Sequence, residues 1–524
     1  MIERSRNVSR ACWALLLAGS AALALGAGTA TAAQERAGAE SVRGADRAVA
    51  RALRDEARGD FRDVYAAREF RPLWVSDGAL NEATFRFLEI VDSAAADGLD
   101  PGDYALDHVR RLIARTEGAD AEALAEAELE LSRAFVRLVQ DMRRPRIEMH
   151  YAEEAVRPGR LDDAEVLRRA GEAGSFPEYV ANLGWMHPLY TGLRRQLAAL
   201  GEPAGRPRVE IPTGPTLREG DGGARVALLR RRLGLADGEQ FDADLARAVR
   251  AFQQAHGIAA DGVVGPQTLA ALNGGAGGTS REVLQVNLER ARLLPDAATK
   301  HVVVNAASAE LTYYDAGAQQ GAMKVVVGTA KTPTPMMAGM IRYATLNPYW
   351  NLPVDLAASL IAPRMLAGNS LKAMGYEVLS DWTAEAQVVD PKTIDWRRVA
   401  SGDETVRVRQ LPGPGNSMGA VKFMFPNDLG IFLHDTPNRE LFKRAARQFS
   451  NGCVRLEDAH RLGRWLFGED LTPESDAPEQ YRHLPQPVPV YLTYLTAVPD
   501  GSRLAHFPDV YGRDSERAAQ LARR

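Results

Sequence analysis

Two residues of this chain, His434 and Cys453, have the types and settings that covalent chemistry needs. His434 ends the apolar run Ile431-Phe432-Leu433 and is followed by Asp435-Thr436-Pro437. Cys453 lies in Ser450-Asn451-Gly452-Cys453-Val454-Arg455, ahead of a stretch that reads as helical from Leu456. Attack on an amide carbonyl needs a thiolate and a base that creates it. A histidine at a strand end and a cysteine at a loop-to-helix junction meet that need if the fold joins them. A helix start would also lower the thiol pKa and offer N–H groups to a developing oxyanion. Gly452 lets the backbone approach a substrate with no side chain in the way. A zinc set of Cys453, His434 and His460 fits no common ligand spacing, so no metal is expected. Gly413-x-Gly415 is no dinucleotide loop, because a strand rather than a helix follows it, and no cofactor is expected.

These residues sit late in a chain of 524, long enough for about three domains of roughly 150 residues. A composition 45% hydrophobic and 25% charged is that of folded protein and excludes a disordered or collagen-like chain. A net charge of -4 argues against nucleic acid as a partner. At the N-terminus, Arg4, Arg6 and Arg10 precede an apolar run from Cys12 to Leu25, and Ala30-Thr31-Ala32 follows. That layout predicts a signal peptide over 1–33, and hence an exported protein of the periplasm or cell envelope. The run is short for a membrane span and no later segment is apolar enough, so no transmembrane anchor is expected after cleavage. Of the two cysteines, only Cys453 then remains. A lone thiol in an oxidising compartment must be buried or used.

The rest of the chain divides by pattern. Residues 34–59, rich in Ala, Arg and Glu, read as a linker. Residues 60–208 read as a helical scaffold domain, in which Leu124, Leu131, Phe135, Leu138, Val139 and Met142 share one helix face. Residues 209–278 form a small three-helix unit, with the turn signal Asp261-Gly262 before its last helix and a glycine-rich hinge at 274–278. Residues 279–515 open with a helix and continue as strands: 301–304, 311–314, 324–327, 420–425, 431–433 and 488–492 are β-branched or aromatic runs bounded by turn residues. Helical and irregular sequence at 353–408 interrupts this β-rich domain as a lid over a cleft, and 516–524 is a tail.

The small unit resembles the peptidoglycan-binding three-helix module through Gly222-Gly223-Ala224-Arg225-Val226, Ala248-Val249-Arg250-Ala251-Phe252-Gln253 and Asp261-Gly262-Val263-Val264-Gly265; a spacer that has lost binding is the alternative. His434-Asp435-Thr436-Pro437 with Ser450-Asn451-Gly452-Cys453-Val454-Arg455 resembles the signature of the YkuD-type L,D-transpeptidase catalytic domain. Asn347-Pro348-Tyr349-Trp350-Asn351-Leu352-Pro353, 409–416 and Asp509-Val510-Tyr511-Gly512-Arg513-Asp514 extend the match, and the whole arrangement resembles the long YcbB-type members. One departure is Asn451, where many members have a histidine.

The resemblance implies 3→3 cross-linking of peptidoglycan stem peptides on glycan strands, through a thioester on Cys453 with His434 as acid and base. It implies that the Asp435 carbonyl orients the imidazole and that the N–H groups of Gly452 and Cys453 form an oxyanion hole. Arg455, with Asn451 and Ser450, would bind substrate, with structural pinning of the loop the alternative for Arg455. Tyr349, Trp350 and Trp382 would line the donor cleft. An L,D-carboxypeptidase using the same thioester, or a non-catalytic wall-binding scaffold, are the competing functions.

Overall fold

The computed structural model describes residues 44–104, 106–114, 120–200, 211–212, 214–255, 259–266, 268–269, 272, 281–501 and 503–514. The expected signal peptide, the glycine-rich hinge and the tail lie outside the described residues. The chain divides into two compact units: residues up to Asp141 with Leu161–Asn182, and Met142–Arg160 with Leu183 onward.

The first unit is helical. Residues 44–56 form α1, followed by α2 (Gly59–Ala67), α3 (Glu82–Asp92), α4 (Asp107–Ile113), α5 (Ala121–Arg143), α6 (Asp163–Glu172) and α7 (Phe176–Ala181). The expected linker at 34–59 is therefore corrected over 44–56. Its Ala, Arg and Glu are good helix formers, and Val49, Leu53 and Ala57, four apart, are buried along one face. Side chains of Asn81, Asp162 and Ser175 cap α3, α6 and α7 by accepting otherwise orphaned N–H bonds. The core gathers Trp74, Phe87, Phe135 and Phe176 in tilted and edge-on ring contacts. Glu128 is wholly buried on α5, where it accepts from Leu73 N, Trp74 N and the Tyr65 hydroxyl. Burial pushes its carboxyl up to about 7 against those hydrogen bonds.

The second unit begins earlier than the sequence suggests. Residues 142–160 and 183–200, expected within the helical scaffold, group with the catalytic-size β domain. They supply β1 (His150–Tyr151) and α8 (Pro188–Ala199). The small module holds α9 (Ala224–Arg232) and α10 (Ala243–Ala255) around a core of its own that includes Leu217, Val226, Phe241, Val249 and Leu272. Its Asp261-Gly262 turn is held by the buried Gln253, which donates to Asp261 Oδ1 (2.8 Å) and accepts from Gly262 N (2.9 Å). Gly262 has φ +78, a conformation that favours glycine.

After α11 (Arg281–Ala291), the chain forms β2 (His301–Asn305), β3 (Glu310–Asp315), β4 (Ala318–Gly328) and β5 (Met337–Leu346). An insert follows, carrying β6 (Trp350–Asn351), β7 (Tyr376–Leu379), β8 (Val388–Val389) and β9 (Arg407–Gln410). Then come β10 (Val421–Met424), β11 (Leu433–His434), β12 (Gln448–Ser450), β13 (Val454–Leu456), α12 (Ala459–Phe467) and β14 (Gln480–Thr493). The main sheet runs β10-β11-β13-β4-β3-β2-β14-β5-β1, and β10 also pairs with β5, closing the sheet on itself. Alternate residues of these strands (Val302, Val304, Val325, Val327, Phe423, Leu433, Val454, Leu456, Val490 and Leu492) fill the enclosed core. The insert, expected to be helical and irregular, also contains an antiparallel sheet in the order β8-β7-β9-β6. It packs its own core of Ile361, Leu371, Val378, Trp396, Val399 and Val408.

Candidate functional site

β11 and β13 position the two reactive side chains. They pair in parallel, with Leu433 opposite Val454 and His434 opposite Arg455. Leu433 and Val454 are buried in the core, so strand alternation turns Phe432, His434, Cys453 and Arg455 to the other face. Cys453 thus stands across from Phe432, whose carbonyl accepts from Val454 N (3.1 Å), and His434 is the next outward residue along the same strand. The expected helical stretch from Leu456, just after Cys453, is corrected. Val454-Arg455-Leu456 is a strand, held between β11 and β4, and α12 begins only at Ala459, capped by Asp458. Among the described residues no helix N-terminus acts on the thiol. Burial pushes the Cys453 thiol above its ordinary 9.0, against a backbone hydrogen bond at Phe432 and the charge of Arg455. Its Sγ lies 3.6 Å from the Gly430 carbonyl, as a donor.

His434 is buried, with Nδ1 2.6 Å from the carbonyl of Asp435. A carbonyl only accepts, so Nδ1 carries the proton and Nε2 keeps its lone pair. Burial first, then the charges of Arg455 and Lys422, push its pKa down to about 3, although backbone hydrogen bonds at Asp435 and Met418 pull the other way. Lys422, on β10 directly opposite His434, had no signal in the sequence beyond strand membership. The histidine is therefore a neutral base, and the thiol of Cys453 is likewise neutral.

Asp435 is fixed on three sides: its carboxylate takes Arg439 (2.6 Å) and Ala420 N (2.9 Å), and Gly419 leaves no space for a Cβ against it. Gly452 has φ +112. Its N–H donates to Ser450 Oγ (3.1 Å), which itself donates to the Cys453 carbonyl (2.6 Å). The expectation for Gly452 as an oxyanion donor is corrected, since that N–H is engaged inside the loop. Ser450, buried, pins the loop instead of facing a substrate. The Cys453 N–H makes no hydrogen bond among the described residues and remains the available donor.

Asn451 is exposed beside the pair, and Arg455 is half-buried with its Nε unpaired and shielded from solvent. Burial lowers the Arg455 pKa. Tyr349 and Trp350 are engaged with the insert. The Arg409 guanidinium lies 3.9 Å over the Tyr349 ring and pairs with Glu377, and Trp350 pairs with Gln410 and packs on the insert core. Trp382 is 58% exposed on the insert. His460 is exposed on α12. Among the described residues no three His, Cys, Asp or Glu side chains are grouped to hold a metal ion. Nor is any described helix long and apolar enough to cross a membrane.

The sheet closes on itself, and the buried His434 ends one of two adjacent parallel strands while Cys453 directly precedes the other. Residues 299–468 match the family of the L,D-transpeptidase catalytic domain, residues 59–197 a scaffold domain, and residues 227–272 a family described as "Putative peptidoglycan binding domain". The chain thus carries an L,D-transpeptidase catalytic domain together with the scaffold and peptidoglycan-binding-like units read from its sequence. A Haemophilus influenzae protein named "Putative L,D-transpeptidase" is 34% identical over 241 residues, which are 44% of this chain and 48% of that one. The chain therefore spans about half the length of the curated relative it matches. Among solved structures, an L,D-transpeptidase from Xylanimonas cellulosilytica is 16% identical, covering 54% of this chain and 98% of its own at a TM-score of 0.17. One from Mycobacterium smegmatis is 13% identical, covering 37% and 58% at 0.19.

Proposed function

We propose that the protein is an exported peptidoglycan L,D-transpeptidase that forms 3→3 cross-links through a thioester on Cys453. The observation that carries this reading is the parallel pairing that sets His434, neutral and with its Nδ1 held by the Asp435 carbonyl, opposite Arg455, two residues after Cys453. In the first half-reaction Cys453 Sγ bonds to the carbonyl carbon of the third stem residue, a diaminopimelate, as its proton passes to His434 Nε2. The C–N bond to the terminal D-alanine then breaks, and that proton leaves on the amine. In the second, the side-chain amine of an acceptor stem gives its proton to His434 and bonds to the carbonyl carbon. The C–S bond breaks and the thiol is reprotonated. The Cys453 N–H stabilises the oxyanion in both. Arg455, a half-buried cation with an unpaired Nε two residues after the thiol, binds a stem carboxylate, and Asn451 borders the same opening. The scaffold and the small module hold the domain at the wall in the cell envelope.

A carbapenem supplies the test for the nucleophile, because it acylates such a thiol without a second substrate. Its mass should appear on the wild-type protein, at Cys453, and not on Cys453→Ser. An adduct on the serine variant would overturn the assignment. Incubation with one tetrapeptide stem then separates the outcomes. A cross-linked dimer supports transfer, whereas loss of D-alanine without dimer indicates an L,D-carboxypeptidase. No product from an intact acylated protein indicates a wall-binding scaffold.

A further inference from the structure

We propose that Thr334 and Tyr511 are positioning residues for Cys453, joining the nucleophile loop through the 328–334 turn to the segment 509–514. The inference rests on the reading of Cys453 as the acylated residue. Thr334 is wholly buried at the head of that turn. Its Oγ1 accepts from Gly328 N (2.9 Å) and donates to the Gly452 carbonyl (2.7 Å), one residue before the nucleophile. The turn also grips the other side of the loop, because Thr329 N and Thr332 Oγ1 both reach the Ser450 carbonyl (3.0 and 3.2 Å). The turn is tight: a Cβ on Gly328 would fall 2.1 Å from the Thr332 carbonyl oxygen.

Tyr511 closes the same turn from outside. Its hydroxyl donates to the Gly328 carbonyl (2.7 Å) and accepts from Thr334 N (3.4 Å). The ring stacks on Tyr494 at 4.9 Å, and Arg513 reaches the Thr334 carbonyl (3.3 Å). Asp514 then fastens the segment to α11 through the fully buried Arg290. An unbroken hydrogen-bonded path therefore runs from Tyr511 by way of Gly328 and Thr334 to Gly452. Its effect is directional. The peptide plane between Gly452 and Cys453 contains both the Gly452 carbonyl and the Cys453 N–H, so Thr334 fixes the direction in which that N–H points. The oxyanion donor is aimed by a side chain more than a hundred residues away in sequence, and the motif at 509–514 acquires a role.

The test uses the full-length protein with Thr334→Val, Thr334→Ser and Tyr511→Phe. Saturation kinetics of carbapenem acylation should show the limiting rate of Thr334→Val falling by about 10²-fold, the scale of a misplacement near 1 Å, while half-saturation moves by less than about threefold. Thr334→Ser, which keeps the hydroxyl, should recover to within about fivefold of wild type, and Tyr511→Phe should lose about tenfold. Alkylation of Cys453 by iodoacetamide at neutral pH gives a second readout that needs no acyl transfer. Loosening the loop relieves the burial that holds the thiol protonated, so Thr334→Val should alkylate faster than wild type. A folded Thr334→Val with unchanged acylation and alkylation overturns the proposal, and so does Thr334→Ser impaired as deeply as Thr334→Val. If Thr334→Val fails to fold by its melting curve, Tyr511→Phe decides on the same two readouts, since its ring stacking is kept. A wild-type protein that takes no adduct at Cys453 refutes the proposed function instead, and the alkylation rates still decide the positioning.

Discussion

At the scale of single residues, the site is a pair of neutral groups in place of an ion pair. Burial favours the uncharged form of both partners, and Arg455 and Lys422 add cationic charge that further disfavours a protonated His434. The sign of the pH dependence follows. His434, with its pKa near 3, is already a free base throughout the neutral range, and Cys453, raised above 9.0, is still a thiol there. Carbapenem acylation of the wild type should therefore be nearly flat between about pH 5 and 8, where an ordinary histidine would impose a step near 6.5. A sigmoid drop centred at 6–7 would contradict the neutral pair. In His434→Ala the rate should fall by about 10²–10⁴-fold at neutral pH and climb steadily with pH as the thiolate fraction grows. His460→Ala, altered only on an exposed helix surface, should match the wild type. His434, Cys453 and Asp435 stand out in the sequence as candidates because their residue types and flanking motif announce chemistry. Lys422 and Thr334 were not, because a lysine on a strand and a threonine in a turn become relevant only through register and through contacts across more than a hundred positions.

At the scale of elements, the short strand β13 and the loop before it do what a helix start was expected to do. The helical expectation from Leu456 began three residues ahead of α12, because a three-residue strand offers no periodicity to set against it. Pairing on both sides, to β11 and β4, decides the outcome, and it brings the cysteine into line with the histidine. The sheet in the insert escaped notice for the same reason, its strands being two to four residues long. β5 escaped because Met337-Ala338-Gly339-Met340 lacks the β-branched residues that mark β2 and β4. What the loop requires of sequence is Gly452. Its φ of +112 disfavours any side chain, and a Cβ there would lie 3.1 Å from Ile431 Cδ1. Gly452→Ala should cost on the order of 1–3 kcal/mol of backbone strain or else relax by moving the Cys453 N–H. Either response slows carbapenem acylation, and differential scanning calorimetry tells them apart. A lowered Tm marks retained strain, and an unchanged Tm with slow acylation marks a displaced loop. Wild-type values for both would mean that the loop tolerates a side chain.

At the scale of the whole molecule, separate cores make separate functions possible. The module buries Ile211, Leu217, Val226, Leu229, Phe241, Leu245, Val249, Val264, Leu269 and Leu272 against one another. The catalytic sheet and the insert bury sets of residues that share none of these. At this scale one contact crosses a composition boundary within the stretch that matches the scaffold family. Met142–Arg160 reads as a continuation of helical sequence, yet His150 and Tyr151 pair with Met337 and Ala338 on the edge of the catalytic sheet. Patterning along the chain reports which face is apolar and says nothing about which distant strand will cover it. The module itself was legible because its turns and helices close on themselves within one stretch of chain. That independence makes a prediction about division of labour. Deleting 209–278 and joining the ends with a flexible linker of similar reach removes the module's core without exposing either of the others. The shortened protein should keep carbapenem acylation of Cys453 within about threefold of the full chain, since none of the groups that hold His434, Gly452 or Cys453 comes from the module. It should sediment less with purified peptidoglycan sacculi, by about tenfold in the amount bound if the module contributes a binding energy near 1.4 kcal/mol. Undiminished sedimentation would assign wall attachment to the other domains and leave the module as a spacer. Lost acylation with an intact melting transition would show instead that the module acts on the catalytic domain.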